Sequence, residues 1–258
     1  VKNWDSRGQK IRRLIQQIPL GREYVAATSE NYKPIYESAF RRPSDHILVV
    51  GQPRNDIFFD REGKFPVQHR LRNAARGRKI ILYAPTHRQE GRIPFPLEEH
   101  FDFQRLNQWC QEHHAVFVIK RHFYHQEDPV DFSGYSNIAD ITDKSMDIQE
   151  LLMDTDLLIT DYSSTYIDYL LLDRPMVFYD FDYQDYLRTD REMYYDYDEV
   201  TPGYKAETFG QLLDELDLIF QGEDQWREER RRVRDLFYCA QGQKAVGRKL
   251  LEFLKDIS

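Results

Sequence analysis

Apolar positions in this chain come in short unbroken runs closed by polar or turn residues: KIILY (79–83), AVFVI (115–119), LLI (157–159) and PMVFY (175–179). Four to eight apolar residues between turn signals predict strands buried on both faces of a parallel sheet. Between the runs the spacing changes to every third or fourth position, which predicts helices over Val67–Ala75, Phe101–His113, Asp147–Met153 and Thr208–Phe220. Ile138–Ile141 reads as a further, weaker strand. Upstream, Glu23–Thr28, Glu30–Phe40 and Ile47–Val50 read as strand, helix and strand. Ile11, Leu14, Ile15 and Ile18 predict an amphipathic helix within 5–18, capped by Asp5 or Ser6. Glu223–Lys255 reads as largely helical with a break near Gly242, its charge run Arg227–Arg234 forming a solvated face. Strands alternating with helices predict an α/β fold, a Rossmann-like parallel sheet with helices on both faces.

The stretch LLITDYSSTYID (157–168) is the centre of this pattern. It reads as strand, tight turn and helix, with Ser163 and Ser164 at the helix start and Asp173, Arg174 and Pro175 closing the segment. Free N–H groups and the positive dipole end at a helix start suit a phosphate. The same place suits an ordinary serine cap, so both readings stand for these two residues. Their position at the carboxyl end of a parallel strand favours a ligand, because open α/β sheets bind there.

Polar residues gather after other strand ends as well: Arg54; Thr86, His87 and Arg88; Lys120, Arg121 and His122. Cations converging on a helix start are a natural receptor for a diphosphate, with arginine supplying a bidentate fork. Each also has a plain structural reading: Arg54 as a surface ion-pair former, His87 as a loop residue, His122 as a histidine closing a strand. The pattern across several strand ends carries the argument. No Walker-type loop, GxGxxG, HExxH or Cys/His cluster occurs, so neither a cofactor nor a metal is expected. Asp180 and Asp182 form a DFD that reads either as a metal pair or as loop packing, and no metal is assigned to it.

Composition sets the remaining bounds. The 258 residues are 41% hydrophobic, enough for one large or two small domains. The net charge of −8 argues against general nucleic-acid binding, although local basic clusters exist. The 17 tyrosines lean toward carbohydrate or membrane-interface surfaces. Cys110 and Cys239 lie far apart and give no disulfide or metal framework, which fits a reducing cytoplasm. No apolar stretch approaches the roughly 18 residues of a membrane span, and no signal peptide opens the chain. The polar start without Met points to a piece of something longer.

GQPRND (51–56), YAPTHR (83–88), Arg121 with His122, and TDYSSTYIDYLLLDRPMVFYDFDYQDY (160–186) closely resemble the CDP-glycerol glycerophosphotransferase family, the teichoic-acid and capsule polymerases and primases of bacteria. MYYDYDEVTPGY (193–204) is similar to that family's aromatic Pro-Gly segment, and the resemblance spans about residues 23–250. It implies a GT-B-like architecture, with residues 1–58 the end of the first, acceptor-side Rossmann-like half or a linking segment, and 59–258 the donor-binding domain. Three departures stand out: His87 where Trp is common, Phe123 where Pro follows His, and Gln241 where an Asp-Gly pair is usual. The family's His-Gly-Thr-Pro motif, which bears a proposed catalytic histidine, does not occur, so the chain is a fragment or lacks that base.

The resemblance further implies that Arg54, Thr86, His87, Arg88, Lys120, Arg121, His122, Ser163, Ser164 and Asp168 line a CDP-alcohol pocket. Asp168 would bind a glycerol or ribose hydroxyl or pair with a nearby base on the helix face, and Asp161 would orient the turn. The expected activity is transfer of glycerol phosphate, or another polyol phosphate, from a CDP-linked donor to a hydroxyl of a polymer or lipid-linked acceptor, releasing CMP. His122 is the catalytic candidate, as acid or as phosphate donor. The rivals are a GT-B glycosyltransferase using a nucleotide sugar and a non-catalytic half that binds nucleotide or polymer. A cytoplasmic protein with peripheral contact at the inner face of the membrane is expected, with Arg7, Lys10, Arg12 and Arg13 either the contact patch or a solvated helix face.

Overall fold

The computed structural model describes residues 23–60, 63–65, 67–88, 96–122, 130–142, 146–189, 193–238 and 245–257. The helix expected within 5–18, with its basic residues, and Phe123, Cys239, Gln241 and Gly242 lie outside them.

Val25–Ala27 (β1) and Ile47–Val49 (β2) pair in parallel as a two-stranded sheet, with helix α1 (Lys33–Phe40) between them in the chain. The other strands are Lys79–Tyr83 (β3), Ala115–Ile119 (β4), Ile138–Asp140 (β5), Leu157–Thr160 (β6), Met176–Tyr179 (β7) and Tyr204–Ala206 (β8). They form one six-stranded sheet in the order β5-β4-β3-β6-β7-β8, with every neighbouring pair parallel. Ile81 lies opposite Phe117 on one side and Leu157 on the other, so the middle of the sheet is apolar across its width.

Successive strand residues point to opposite faces, and here both faces are covered. Ile81, Tyr83, Phe117, Ile119, Val177 and Tyr179 pack on one face with residues of α3 (Phe103–Glu112) and α8 (Phe209–Phe220). Ile80, Leu82, Val116, Val118, Leu158 and Phe178 pack on the other with residues of α2 (Arg70–Ala75), α4 (Ile148–Asp154), α5 (Thr165–Tyr169) and α9 (Arg227–Phe237). The expected α/β architecture is the one observed. Helix starts follow from local chemistry: Asp102 accepts from Arg105 N, Asp147 accepts from Gln149 N, and Thr208 with Gln211 forms a capping box. Arg174 donates to the carbonyls of Met153 and Thr155 and closes α4.

Three elements depart from the periodicity. Strand β8 is a short YKA segment at the sheet edge, with too few residues to show alternation. It reaches β7 through Gly203, where a Cβ would lie 2.5 Å from the Met176 carbonyl oxygen, so only glycine admits the approach. The acidic aromatic segment after β7 contains two short helices, α6 (Tyr183–Thr189) and α7 (Tyr197–Val200). The charge run on α9 is not wholly solvated: Arg230 is 1% exposed and shares the buried face with Val233 and Phe237. Its guanidinium makes two 2.6 Å bonds to Asp224, which a buried cation needs.

After β2 a 3₁₀ turn, Pro53–Phe59, carries Arg54, Asn55 and Asp56 toward the larger sheet. Asp56 accepts from Val246 N at 2.8 Å and Gly247 N at 2.9 Å, capping helix α10 (Val246–Ile257). That helix returns to the smaller sheet, where Phe253 meets Tyr24 edge-on at 4.8 Å. Among the described residues no helix is long and apolar enough to cross a membrane.

Candidate functional site

A cavity of about 450 Å³ opens at the carboxyl ends of β3 and β6, lined by Thr86, His87, His122, Ser163 and Ser164 and by a wall of tyrosines. That is the size and place expected of a small-molecule site in an open parallel sheet.

Asp161, the first residue after β6, organises its floor. It is 0% exposed, and its Oδ1 accepts from Thr86 N at 2.8 Å and Ser163 N at 3.3 Å, joining the loop after β3 to the loop after β6. The two serines have different roles. Ser163 Oγ accepts from Thr165 N at 3.3 Å and donates to Thr165 Oγ1 at 2.9 Å, a local turn bond. Ser164 occupies the N-cap position with φ −65° and ψ −2° and makes no cap bond, leaving its exposed hydroxyl to the cavity. Thr86 Oγ1 is buried without a hydrogen-bond partner among the described residues, and buried hydroxyls without partners are rare. The rings of His87 and His122 lie 4.6 Å apart, edge to face.

The opposite wall is aromatic. Tyr162 stacks on Tyr186 at 4.0 Å, and Tyr183 stacks on Tyr197 at 4.9 Å. Burial is the largest cause pushing the Tyr162, Tyr166 and Tyr197 hydroxyls well above the ordinary phenol range, so they are neutral at physiological pH. The wall therefore offers flat, uncharged surface facing a polar floor.

The expected site residues divide into two groups. Thr86, His87, His122, Ser163 and Ser164 meet in the cavity. Arg54, Arg88, Lys120, Arg121 and Asp168 are absent from its lining. Arg88 is 6% exposed, bound to Asp182 at 2.6 Å and 2.8 Å from Asp161. Arg121 is buried against Asp140 at 2.9 Å. Lys120 Nζ donates to the carbonyls of Ile141 at 3.3 Å and Thr142 at 3.4 Å. Asp168, read as a contact for a ligand hydroxyl or for a nearby base, is 4% exposed and accepts from Arg54, Asn55, Gln149 and Tyr238. The pairing half of that reading is the observed one. Arg54, Arg88 and Arg121 are thus engaged by acids from other segments, and Lys120 by backbone carbonyls. Asp182 of the DFD is one of those acids, and among the described residues no group of three or more His, Cys, Asp or Glu is placed to hold a metal.

The tyrosine wall was not assigned to the site from the sequence. Its signal was the density of tyrosines between Tyr162 and Tyr197, but periodicity does not tell a wall from a core.

The model of the CDP-glycerol:poly(glycerophosphate) glycerophosphotransferase family matches residues 5–254. The chain is 33% identical to the teichoic acid ribitol-phosphate polymerase TarK of Staphylococcus aureus over 204 residues, 76% of this chain and 39% of that protein. It is 31% identical over 216 residues to a teichoic acid poly(glycerol phosphate) polymerase of Staphylococcus epidermidis, 80% of this chain and 29% of that protein. The chain therefore spans well under half of the length of these two relatives. The structure of the wall teichoic acid polymerase TagF, a histidine-to-asparagine variant with CDPG, superimposes with a TM-score of 0.80 at 28% identity, covering 100% of this chain and 63% of that one. A UDP-N-acetylglucosamine 2-epimerase from Listeria monocytogenes shares the fold alone, with a TM-score of 0.55 at 13% identity over 91% of this chain and 59% of that one. The sheet is GT-B-like in both its topology and its structural neighbours.

Proposed function

The chain belongs to the CDP-glycerol:poly(glycerophosphate) glycerophosphotransferase family, and from that premise we propose that it binds a CDP-polyol in the cavity beside Ser163 and Ser164. It supplies the donor side of transfer of glycerol phosphate, or a related polyol phosphate, to a hydroxyl of a teichoic-acid-like polymer. One observation carries this reading. Ser164 with a free cap position, a buried Thr86 hydroxyl and two histidines share one cavity with a neutral aromatic wall. Hydroxyl and imidazole donors suit the diphosphate, and the tyrosines suit the flat, apolar parts of a nucleotide donor.

In the transfer an acceptor hydroxyl attacks the β-phosphorus in line. The new P–O bond forms as the bond to CMP breaks, and the acceptor proton leaves for a base. Negative charge collects on the phosphoryl oxygens and on CMP, where preorganised donors lower the barrier. His122 serves there as a phosphate donor or as the acid toward CMP. Residues 1–58 act as the end of the acceptor-side half or as a linking segment, and 59–258 as the donor-binding domain. Peripheral contact with an anionic membrane surface, through the basic residues near the start of the sequence, would bring a lipid-linked acceptor within reach.

Calorimetry tests the reading. CDP-glycerol binds the full chain, UDP-N-acetylglucosamine does not, and Ser163→Ala with Ser164→Ala weakens CDP-glycerol by about 1–3 kcal/mol while the fold persists. Unchanged donor affinity in a folded double variant would falsify the assignment. Preference for the UDP-sugar would support the glycosyltransferase reading, and tight CMP binding without turnover the binding-only one.

A further inference from the structure

We propose that Arg88 is a positioning residue of this cavity, locking together the loops that follow β3, β6 and β7 and so setting Thr86, Ser163 and Tyr162 around a bound donor. The proposal rests on the donor-site reading above and departs from the role expected of Arg88 as a direct phosphate ligand.

The guanidinium reaches all three loops. Its Nη1 donates to the Thr86 carbonyl at 2.6 Å, in its own loop. Its Nη2 lies 2.8 Å from Asp161 Oδ2, in the loop after β6. Its Nε and Nη2 donate to Asp182 Oδ2 and Oδ1 at 2.6 Å and 3.0 Å, in the segment after β7. Each carboxylate then passes the constraint to the cavity. Asp161 holds the Thr86 and Ser163 amides, and Asp182 Oδ1 accepts from the Tyr162 hydroxyl at 3.0 Å. The same guanidinium lies 5.1 Å from the Tyr162 ring centroid and 5.4 Å from that of Tyr186. One planar fork therefore fixes both the polar floor and the aromatic wall.

Charge argues for the same role. A single buried cation stands against two carboxylates, so its field is already offset before any anion arrives. Lysine cannot substitute, because an ammonium is a compact point charge that does not span three acceptors in fixed directions.

The test uses the full chain, with amide hydrogen exchange as a readout that needs no ligand. In Arg88→Lys the Thr86 and Ser163 amides exchange roughly tenfold faster or more, while Leu158, which donates to the Pro175 carbonyl, exchanges as in the wild type. Asp182→Asn changes the same amides to a lesser degree and stands in if Arg88→Lys does not fold. Calorimetry adds the functional arm: both variants weaken CDP-glycerol by roughly fivefold or more. Unchanged exchange at Thr86 and Ser163 overturns the positioning role. A wild-type chain that binds no CDP-glycerol removes the donor-site reading and leaves the exchange result to decide on Arg88.

Discussion

Asn55 Nδ2 donates to Asp168 Oδ1 at 2.7 Å, although 113 residues separate the two in the chain. Both are buried, at 0% and 4% exposure, and Tyr238 O–H donates to the same oxygen at 2.7 Å. Arg54 Nε at 3.0 Å and Gln149 Nε2 at 3.2 Å donate to the other oxygen. Asp168 thereby ties the turn after β2 to α4, α5 and the end of α9. It joins the smaller sheet to the larger one.

The first prediction follows from that junction. Asp168→Asn turns an acceptor toward several donors into a group that is itself half donor. Its urea midpoint falls, with a loss of about 1–3 kcal/mol or more. Tyr238→Phe removes one donor to Asp168 and the acceptor that Asn55 Nδ2 meets at 3.2 Å, and costs about 1–2 kcal/mol. Equal stability of Asp168→Asn and the wild type would show that the junction is held by packing instead.

His122 is placed in the cavity, whereas His113, at the C-cap of α3, stacks on Trp109 at 4.1 Å and lies 3.4 Å from Asp217. His122→Ala lowers CMP release by roughly 10²-fold, and His113→Ala leaves it unchanged. Equivalent losses in the two variants, measured in one CMP-release assay, would identify His122 as a structural histidine.

Arg230 separates buried from solvated charge on α9. Arg230→Ala leaves Asp224 and Asp173 without their fully buried partner and costs roughly 3–5 kcal/mol. Arg232, half exposed and paired with Glu229, costs about 1 kcal/mol or less on the same substitution. Denaturant midpoints of the two variants check this, and similar values would count against it.

Asp180 makes stability depend on pH. It is 7% exposed after β7, and burial is the main cause pushing its carboxyl from 3.8 up to about 6. The folded chain therefore holds this proton more tightly than the unfolded chain does. The stabilising contribution is full below 3.8 and is lost as pH rises through about 6. Asp180→Asn, which mimics the protonated group, is more stable than the wild type at about pH 8, by on the order of 2 kcal/mol, and equal to it at about pH 4. A stability difference that does not change between those conditions would mean that Asp180 is ionised throughout.

The sequence by itself determined the sheet and the edge at which polar residues line a cavity. After the exposed Lys79, the run IILY, like AVFVI, has no polar position to expose, so these runs had to become strands covered on both faces, and their carboxyl ends had to carry the polar loops. Ser163, Ser164, Thr86, His87 and His122 were legible for that reason: each follows a buried strand directly. What only the tertiary structure decided is which charges remain for a ligand. Arg88, Arg121 and Asp168 have the right residue types in the right loops, but Asp161, Asp182, Asp140 and Asn55 reach them from other segments. Local spacing shows that a cation lies at a strand end. It does not show whether a carboxylate distant in sequence has already claimed it, because that pairing exists only once the sheet brings the loops together.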